Sequence, residues 1–167
     1  MEKLEYRDAT PKDLKRIVEI YNSTIPSRMV TADTAPVSQK SRKQWFAEHS
    51  PHKRPLWVVE NTSRLTIGWV SFQSFYGRPA YDATVEISIY LDQEQRGKGL
   101  GKEILEYCIA NAPKFGVRTI LGFIFSHNAP SIKLFRSFGF EDWATLPNIA
   151  VIDGEERSLK ILGKRIA

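Results

Sequence analysis

The chain has 167 residues, 42 % of them hydrophobic, which is enough for a substantial core and too short to favour two domains, so a single domain over residues 1–167 is expected. A lone Cys108 excludes an intramolecular disulfide, no apolar run is long enough to span a bilayer, and the opening Met1-Glu2-Lys3-Leu4 lacks the apolar core of a signal peptide, which points to the cytoplasm. The net charge of +5, from 24 basic and 19 acidic residues, would suit a phosphorylated ligand, but the charges are scattered and carry no aromatic-basic signature, so no nucleic-acid partner is expected.

Leu4 to Arg7 reads as a short edge strand. Thr10-Pro11-Lys12-Asp13 opens a helix with Thr10 as cap, Pro11 in the first turn and Asp13 at the positive dipole end. Leu14, Ile17, Val18 and Tyr21 then fall on one helical face. The Ser, Thr and Pro content from Asn22 to Val37 predicts an irregular connection. Ser38 is placed to cap a second helix carrying Trp45 and Phe46, which Ser50-Pro51 would stop. Leu56 to Glu60 and Leu65 to Phe75 read as a strand pair around Asn61-Thr62-Ser63, broken afterwards by Gly77-Arg78-Pro79.

Thr84 to Leu91 gives the clearest alternation in the chain, with Val85, Ile87, Ile89 and Leu91 on one face and Thr84, Glu86, Ser88 and Tyr90 on the other. A helix is predicted from Gly99 to about Asn111, its apolar stripe including Cys108. Val117 to Phe125 suits a central strand covered on both sides. Asn128 would cap a short helix that Gly139 stops, and Phe140 to Leu146 and Arg157 to Leu162 are the last strand candidates.

Between the Glu86 strand and the helix lies Arg96-Gly97-Lys98-Gly99-Leu100-Gly101-Lys102. Glycines allow close backbone approach to an anion, and the first amides of the following helix have no intrahelical partner, so the run is a candidate diphosphate cradle. It is not a Walker loop, because Glu103 follows Lys102 where a hydroxyl is needed. Nor is it a dinucleotide fingerprint, because Lys102 stands where the third glycine belongs. Alone, such a run could equally be a tight strand-to-helix turn. His49 and His52 are separated by Ser50-Pro51, which spoils ligand spacing, and no metal site is expected.

The spacing Arg96-x-x-Gly99-x-Gly101 resembles the GNAT superfamily of acetyl-CoA-dependent N-acetyltransferases. The chain is most similar to its phosphinothricin/methionine sulfoximine acetyltransferase-like branch. That narrower match is carried by Ile20-Tyr21-Asn22, Trp45-Phe46, Gly77-Arg78-Pro79-Ala80-Tyr81, Thr84-Val85-Glu86 with Tyr90, the glycine loop, and Asn128 to Phe140. The resemblance implies an α/β (α+β) fold with a central mixed, mostly antiparallel sheet of about six to seven strands and about four flanking helices. It also implies acetyl-CoA as co-substrate, a small amine as partner, and commonly a homodimer.

By the same resemblance, the amides and cations of Arg96, Gly97, Lys98, Gly99, Leu100, Gly101 and Lys102 would hold the diphosphate. Ile89, Tyr90 and Leu91 would pair with the pantetheine arm, the Leu91 amide would support the oxyanion, and Asn128 would contact the cofactor. On local grounds Glu86 reads as a solvent-facing strand carboxylate or an ion-pair partner; the family match makes it the general base that deprotonates the attacking amine. Arg78 and Tyr81 would bind the acceptor. Two departures stand out. Many relatives place a proton-donating Tyr, and the branch often a His, where this chain has Phe135, which cannot donate. The branch's Gly-Arg-Trp-x-Asp is replaced by Gly154-Glu155-Glu156-Arg157-Ser158. The expected activity is acetyl transfer to a small amino acid-like amine. The alternatives are a protein or peptide amine acetyltransferase, and a non-catalytic acyl-CoA- or RNA-binding module.

Overall fold

The computed structural model describes residues 3–166. Its seven strands are β1 (Glu5–Asp8), β2 (Leu56–Glu60), β3 (Thr66–Ser74), β4 (Thr84–Leu91), β5 (Thr119–Phe125), β6 (Glu141–Ile152) and β7 (Glu155–Arg165). They form one sheet in the order β1-β2-β3-β4-β5-β7-β6. Every pairing is antiparallel except β4 with β5, which is parallel. The helices are α1 (Leu14–Thr24), α2 (Lys43–Ala47), α3 (Leu100–Asn111) and α4 (Ala129–Ser137).

Period-two alternation divides the core between the two faces of the sheet. On one face, Leu56, Val58 and Trp69 meet Ile17 and Ile20 of α1, with Trp45 and Phe46 of α2 packed alongside. On the other, Val59, Val70, Phe72, Val85 and Ile87 meet Ile104, Leu105 and Cys108 of α3 and Ile132 and Phe135 of α4. Each fully buried side chain of this size contributes roughly 1.5–3 kcal/mol, so the sheet is held from both sides. Cys108 has no solvent exposure, and burial pushes its thiol well above the ordinary range. It is therefore core rather than chemistry. Ellman's reagent is expected to leave the folded protein unmodified and to titrate one thiol per chain in denaturant; rapid labelling under native conditions would contradict this packing.

α1 begins as expected. The Asp13 carboxylate accepts from the Thr10 amide at 2.7 Å and is clamped by Arg7 at 2.8 Å. α1 runs on through Asn22 to Thr24, into the stretch expected to be irregular; there the hydroxyls of Ser23 and Thr24 bond back to the Ile20 and Tyr21 carbonyls. The C-terminal strands are also longer than expected. Asp153 (φ 51°) and Gly154 (φ 80°) form a tight turn between β6 and β7, and Asp-Gly favours such hairpins. Pro147 does not end β6, because it lies on an edge strand in a bulge between Leu146 and Ala150.

Candidate active site

β4 is the axis of the site. It pairs with β3 along its whole length, from Val85 to Leu91, but with β5 only from Thr84 to Glu86. Beyond Glu86 the two parallel strands part. The Asp92 amide donates to Ile67 of the β3 side at 2.9 Å, whereas the Ala83 carbonyl accepts from Arg118 and Thr119 of the β5 side. Alternation along the strand then turns the backbone groups of Ile89 and Leu91 into the gap. These backbone groups have no strand partner there, which leaves the edge open to a ligand that bonds as a strand does. On its other edge β4 lies tight against β3: a Cβ on Gly68 would stand 2.8 Å from the Tyr90 carbonyl oxygen.

The gap opens into a cavity of about 640 Å³, lined by Glu86 to Leu91, the Arg96–Lys102 loop except Lys98, Gly122 to Phe125, and Asn128. At its floor the chain turns from β4 into α3 through Gly97 (φ 75°) and Gly99 (φ 76°). Gly99 is the left-handed cap of α3, a conformation that costs side chain-bearing residues about 1–2 kcal/mol. Asp92 fixes the start of this turn, accepting from the Glu94 amide at 3.0 Å and pairing with Arg16 of α1 at 2.8 Å. The Lys102 amide turns back to Gly99 at 3.3 Å, leaving the preceding amides at the positive end of the helix dipole for an anion. Arg96 is half-buried there. The Lys98 ammonium instead reaches Gln95 at 3.1 Å, outside the cavity lining.

Asn128, 6 % exposed, takes the expected capping role and lines the larger cavity. Its Oδ1 accepts from the Ser131 amide at 3.3 Å, capping α4, and its Nδ2 donates to the Met29 carbonyl at 3.2 Å. With the His127 ring bonded to the Arg28 carbonyl at 2.9 Å, this ties Met29 and Val30 across the mouth of the cavity. Phe135 sits in the same wall, 7 % exposed and edge-on to Phe140 at 4.8 Å. It offers the cavity an apolar ring and no proton.

A second cavity of about 210 Å³ lies on the α1–α2 side. Its floor is a ladder of cross-strand neighbours from β3 and β4: Trp69 with Tyr90, Ser71 with Ser88, and Gln73 with Glu86. Its walls are aromatic. Trp69 stacks on Tyr90 at 4.6 Å, Trp45 meets Trp69 edge-on at 5.2 Å, and Tyr21 lies 5.0 Å from Tyr90. Glu86, Ser88 and Tyr90 line both cavities, so this face of β4 is where they join. Glu86 has no hydrogen-bonding or ion-pair partner among the described residues, and burial raises its carboxyl above the usual range. Desolvation thus holds the proton on this carboxyl more tightly than water would.

The structure thus gathers Glu86, Ile89, Tyr90, Leu91, Arg96, Gly97, Gly99, Leu100, Gly101, Lys102 and Asn128 around the joined cavities. It does not bring Arg78 and Tyr81 to them. Both are exposed at a short 3-10 turn (Pro79–Tyr81), where Tyr81, 44 % exposed, packs against Phe75 and Tyr76. Sequence reasoning missed Arg42, Ser71 and Gln73 as lining residues, together with the Asp33 contact that holds Arg42 at 2.9 Å. No group of His, Cys, Asp and Glu among the described residues could hold a metal ion.

The parted parallel strands, the glycine turn and the capping Asn define the fold and donor site of an acyl-CoA-using transferase. In agreement, the acetyltransferase (GNAT) domain family matches residues 3–141. YwnH of Bacillus subtilis, provisionally named a phosphinothricin acetyltransferase, is 49 % identical over 161 residues, 96 % of this chain and 98 % of its own. An L-methionine sulfoximine/L-methionine sulfone acetyltransferase of Pseudomonas aeruginosa is 32 % identical, covering 86 % of this chain and 83 % of its own. A GNAT phosphinothricin acetyltransferase from Sinorhizobium meliloti, solved in complex with acetyl-CoA, superposes with a TM-score of 0.89 at 28 % identity, covering 97 % of this chain and 88 % of its own. The chain belongs to the GNAT family and is an acetyl-CoA-dependent N-acetyltransferase.

Proposed function

We propose that this enzyme acetylates the primary amine of a small, amino acid-like acceptor, with Glu86 as general base. The observation that carries the reading is the position of Glu86, without a partner, at the junction of the two cavities. The larger cavity has what acetyl-CoA demands: an unpaired strand edge for an amide-rich arm and a helix-terminal glycine turn for a diphosphate. Acetyl-CoA supplies an activated acetyl group as a thioester. Ile89 and Leu91 orient it through their backbone groups, the Arg96–Lys102 turn holds its phosphates, and the Leu91 amide offers a donor to a carbonyl oxygen that gains negative charge. Such a donor is typically worth about 3–4 kcal/mol.

Glu86 does the remaining work. An amine of pKa ~8 is mostly protonated at pH 7, and each unit by which its pKa exceeds the pH costs about 1.4 kcal/mol. A carboxylate with a raised pKa can accept that proton at Oε1 or Oε2, directly or through a water. Phe135 removes the usual side-chain donor, so the departing thiolate takes its proton from water or another group, or leaves unprotonated. The acceptor cavity, about 210 Å³, suits a molecule of amino-acid size. Release of CoA thiol should be measured with phosphinothricin, methionine sulfoximine, methionine sulfone and a set of amino acids, against peptides as competitors. Turnover of peptides alone would sink the small-acceptor reading.

A further inference from the structure

Arg54, 6 % exposed, is the one buried residue with a charged side chain among the described residues. A cation taken out of water is costly unless its donors are matched, and here all three guanidinium nitrogens are. Nε donates to the Ser74 hydroxyl at 2.8 Å, Nη1 to the Lys53 carbonyl at 3.3 Å and Nη2 to the Asp82 carbonyl at 2.7 Å. The Asp82 carboxylate is a lesser partner. It lies 3.5 Å from Arg54, is largely exposed and pairs with Lys53 at 2.9 Å, so it adds little. Neutral oxygens from the ends of two strands hold the guanidinium instead.

Those two ends form a fork. Ser74 is the last residue of β3 and pairs with Val85, whereas Asp82 stands just before β4. Outside that pair the ladder weakens: the Phe75 amide reaches the Thr84 carbonyl only at 3.4 Å, beyond the usual length of about 2.9–3.0 Å. Arg54 spans the opening. Its own backbone is fixed, because its carbonyl accepts from the Ser50 amide at 2.9 Å and the adjacent Pro55 carbonyl accepts from Phe72 at 3.1 Å. The first pair inside the fork that lines the smaller cavity is Gln73 with Glu86. Fraying from this end would reach Glu86 before any other β4 residue of that cavity.

We propose that Arg54 is a positioning residue for catalysis: by bridging the Ser74 hydroxyl and the Asp82 backbone it closes the fork between β3 and β4 and holds Glu86 in place beneath the amine. The proposal rests on the reading of Glu86 as general base.

The test is a double-mutant cycle on kcat, run with whichever amine of the screen above is turned over fastest. Arg54→Met fills the space without spanning the fork. It should lower kcat by about 10- to 100-fold, the scale on which a displaced reacting group loses rate, while Kd for acetyl-CoA stays within about twofold of wild type. In the Glu86→Gln background the same substitution should cost less than about twofold, because residues that act as a unit are not additive. Arg54→Lys keeps the charge but cannot reach both strand ends; it should also lose kcat, and it serves as the readout if the methionine variant does not fold. Asp82→Asn should keep wild-type kcat within about twofold, since the backbone carbonyl used by Arg54 remains and an exposed ion pair contributes little.

A clamp that only stabilises the fold would lower the melting temperature of both Arg54 variants and leave kcat per folded molecule unchanged, which overturns the proposal. So does a fully additive loss in the Glu86→Gln background. Wild-type kcat in Glu86→Gln by itself overturns the base and the proposal with it. That result is separate, because failure of the clamp alone leaves Glu86→Gln impaired and Arg54→Met fully active.

Discussion

Glu86→Gln is expected to lower kcat by about 10²- to 10⁴-fold, the usual contribution of a positioned general base, while acetyl-CoA binding persists. The substitution keeps the shape of the side chain and removes only its ability to take a proton. In the wild type, kcat/KM should fall with decreasing pH through a carboxyl value above the ordinary range, because desolvation raises Glu86; the variant should lose that limb. The same shift has a consequence for stability with the opposite sense. The folded carboxyl holds its proton more tightly than the unfolded one, so the native state is favoured below the unfolded value and loses stability as pH rises through the folded value. Glutamine carries no such cost. Glu86→Gln should therefore melt higher than wild type at neutral pH and converge with it in acid. An unchanged pH-rate profile would remove Glu86 as the base, and a lower melting temperature at neutral pH would contradict its desolvated setting.

Gly99→Val is expected to abolish useful acetyl-CoA binding, raising Kd by roughly 10²-fold or more. Valine is strongly disfavoured at φ 76°, and a Cβ there meets nothing within 4 Å, so the effect is conformational and not a clash. If the turn leaves the left-handed region, the amides before Lys102 swing away from the phosphates. Loss of two charge-assisted hydrogen bonds, at about 1.5–3 kcal/mol each, accounts for that magnitude. The fold should survive, since the strain of about 1–3 kcal/mol falls on an exposed turn. Calorimetric titration decides the point; wild-type affinity in the variant would show that the phosphates are held elsewhere.

The parts of this enzyme that were legible in its sequence are those where local pattern and tertiary role coincide. β4 was readable to the residue because alternation from Thr84 to Leu91 is also what separates the core face from the junction face. The glycine turn and Asn128 were readable because helix-terminal chemistry is local. Arg42 was not. It is brought to the cavity by Asp33 and Tyr21, from a connection and a helix that no periodicity joins. Ser71 and Gln73 look like ordinary strand residues until register sets them opposite Ser88 and Glu86. Arg78 and Tyr81 illustrate the reverse case: the motif is local, but their exposure in the folded chain is not. β6 runs past its expected end at Leu146 because an edge strand tolerates Pro147 in a bulge where a central strand would not.

The three-residue contact between β4 and β5 also makes the sheet mechanically two half-sheets. β1 to β4 form one plate and β5 to β7 the other, with Thr84 to Glu86 as the clasp. On the proposed reading, a donor lying in the gap would complete the clasp, so that the co-substrate would act as a removable structural member as well as a reagent. Saturating acetyl-CoA at 100 times Kd should stabilise the protein by about 2.7 kcal/mol. The gain in amide-exchange protection should concentrate at Ile89 and Leu91, whose backbone groups face the gap.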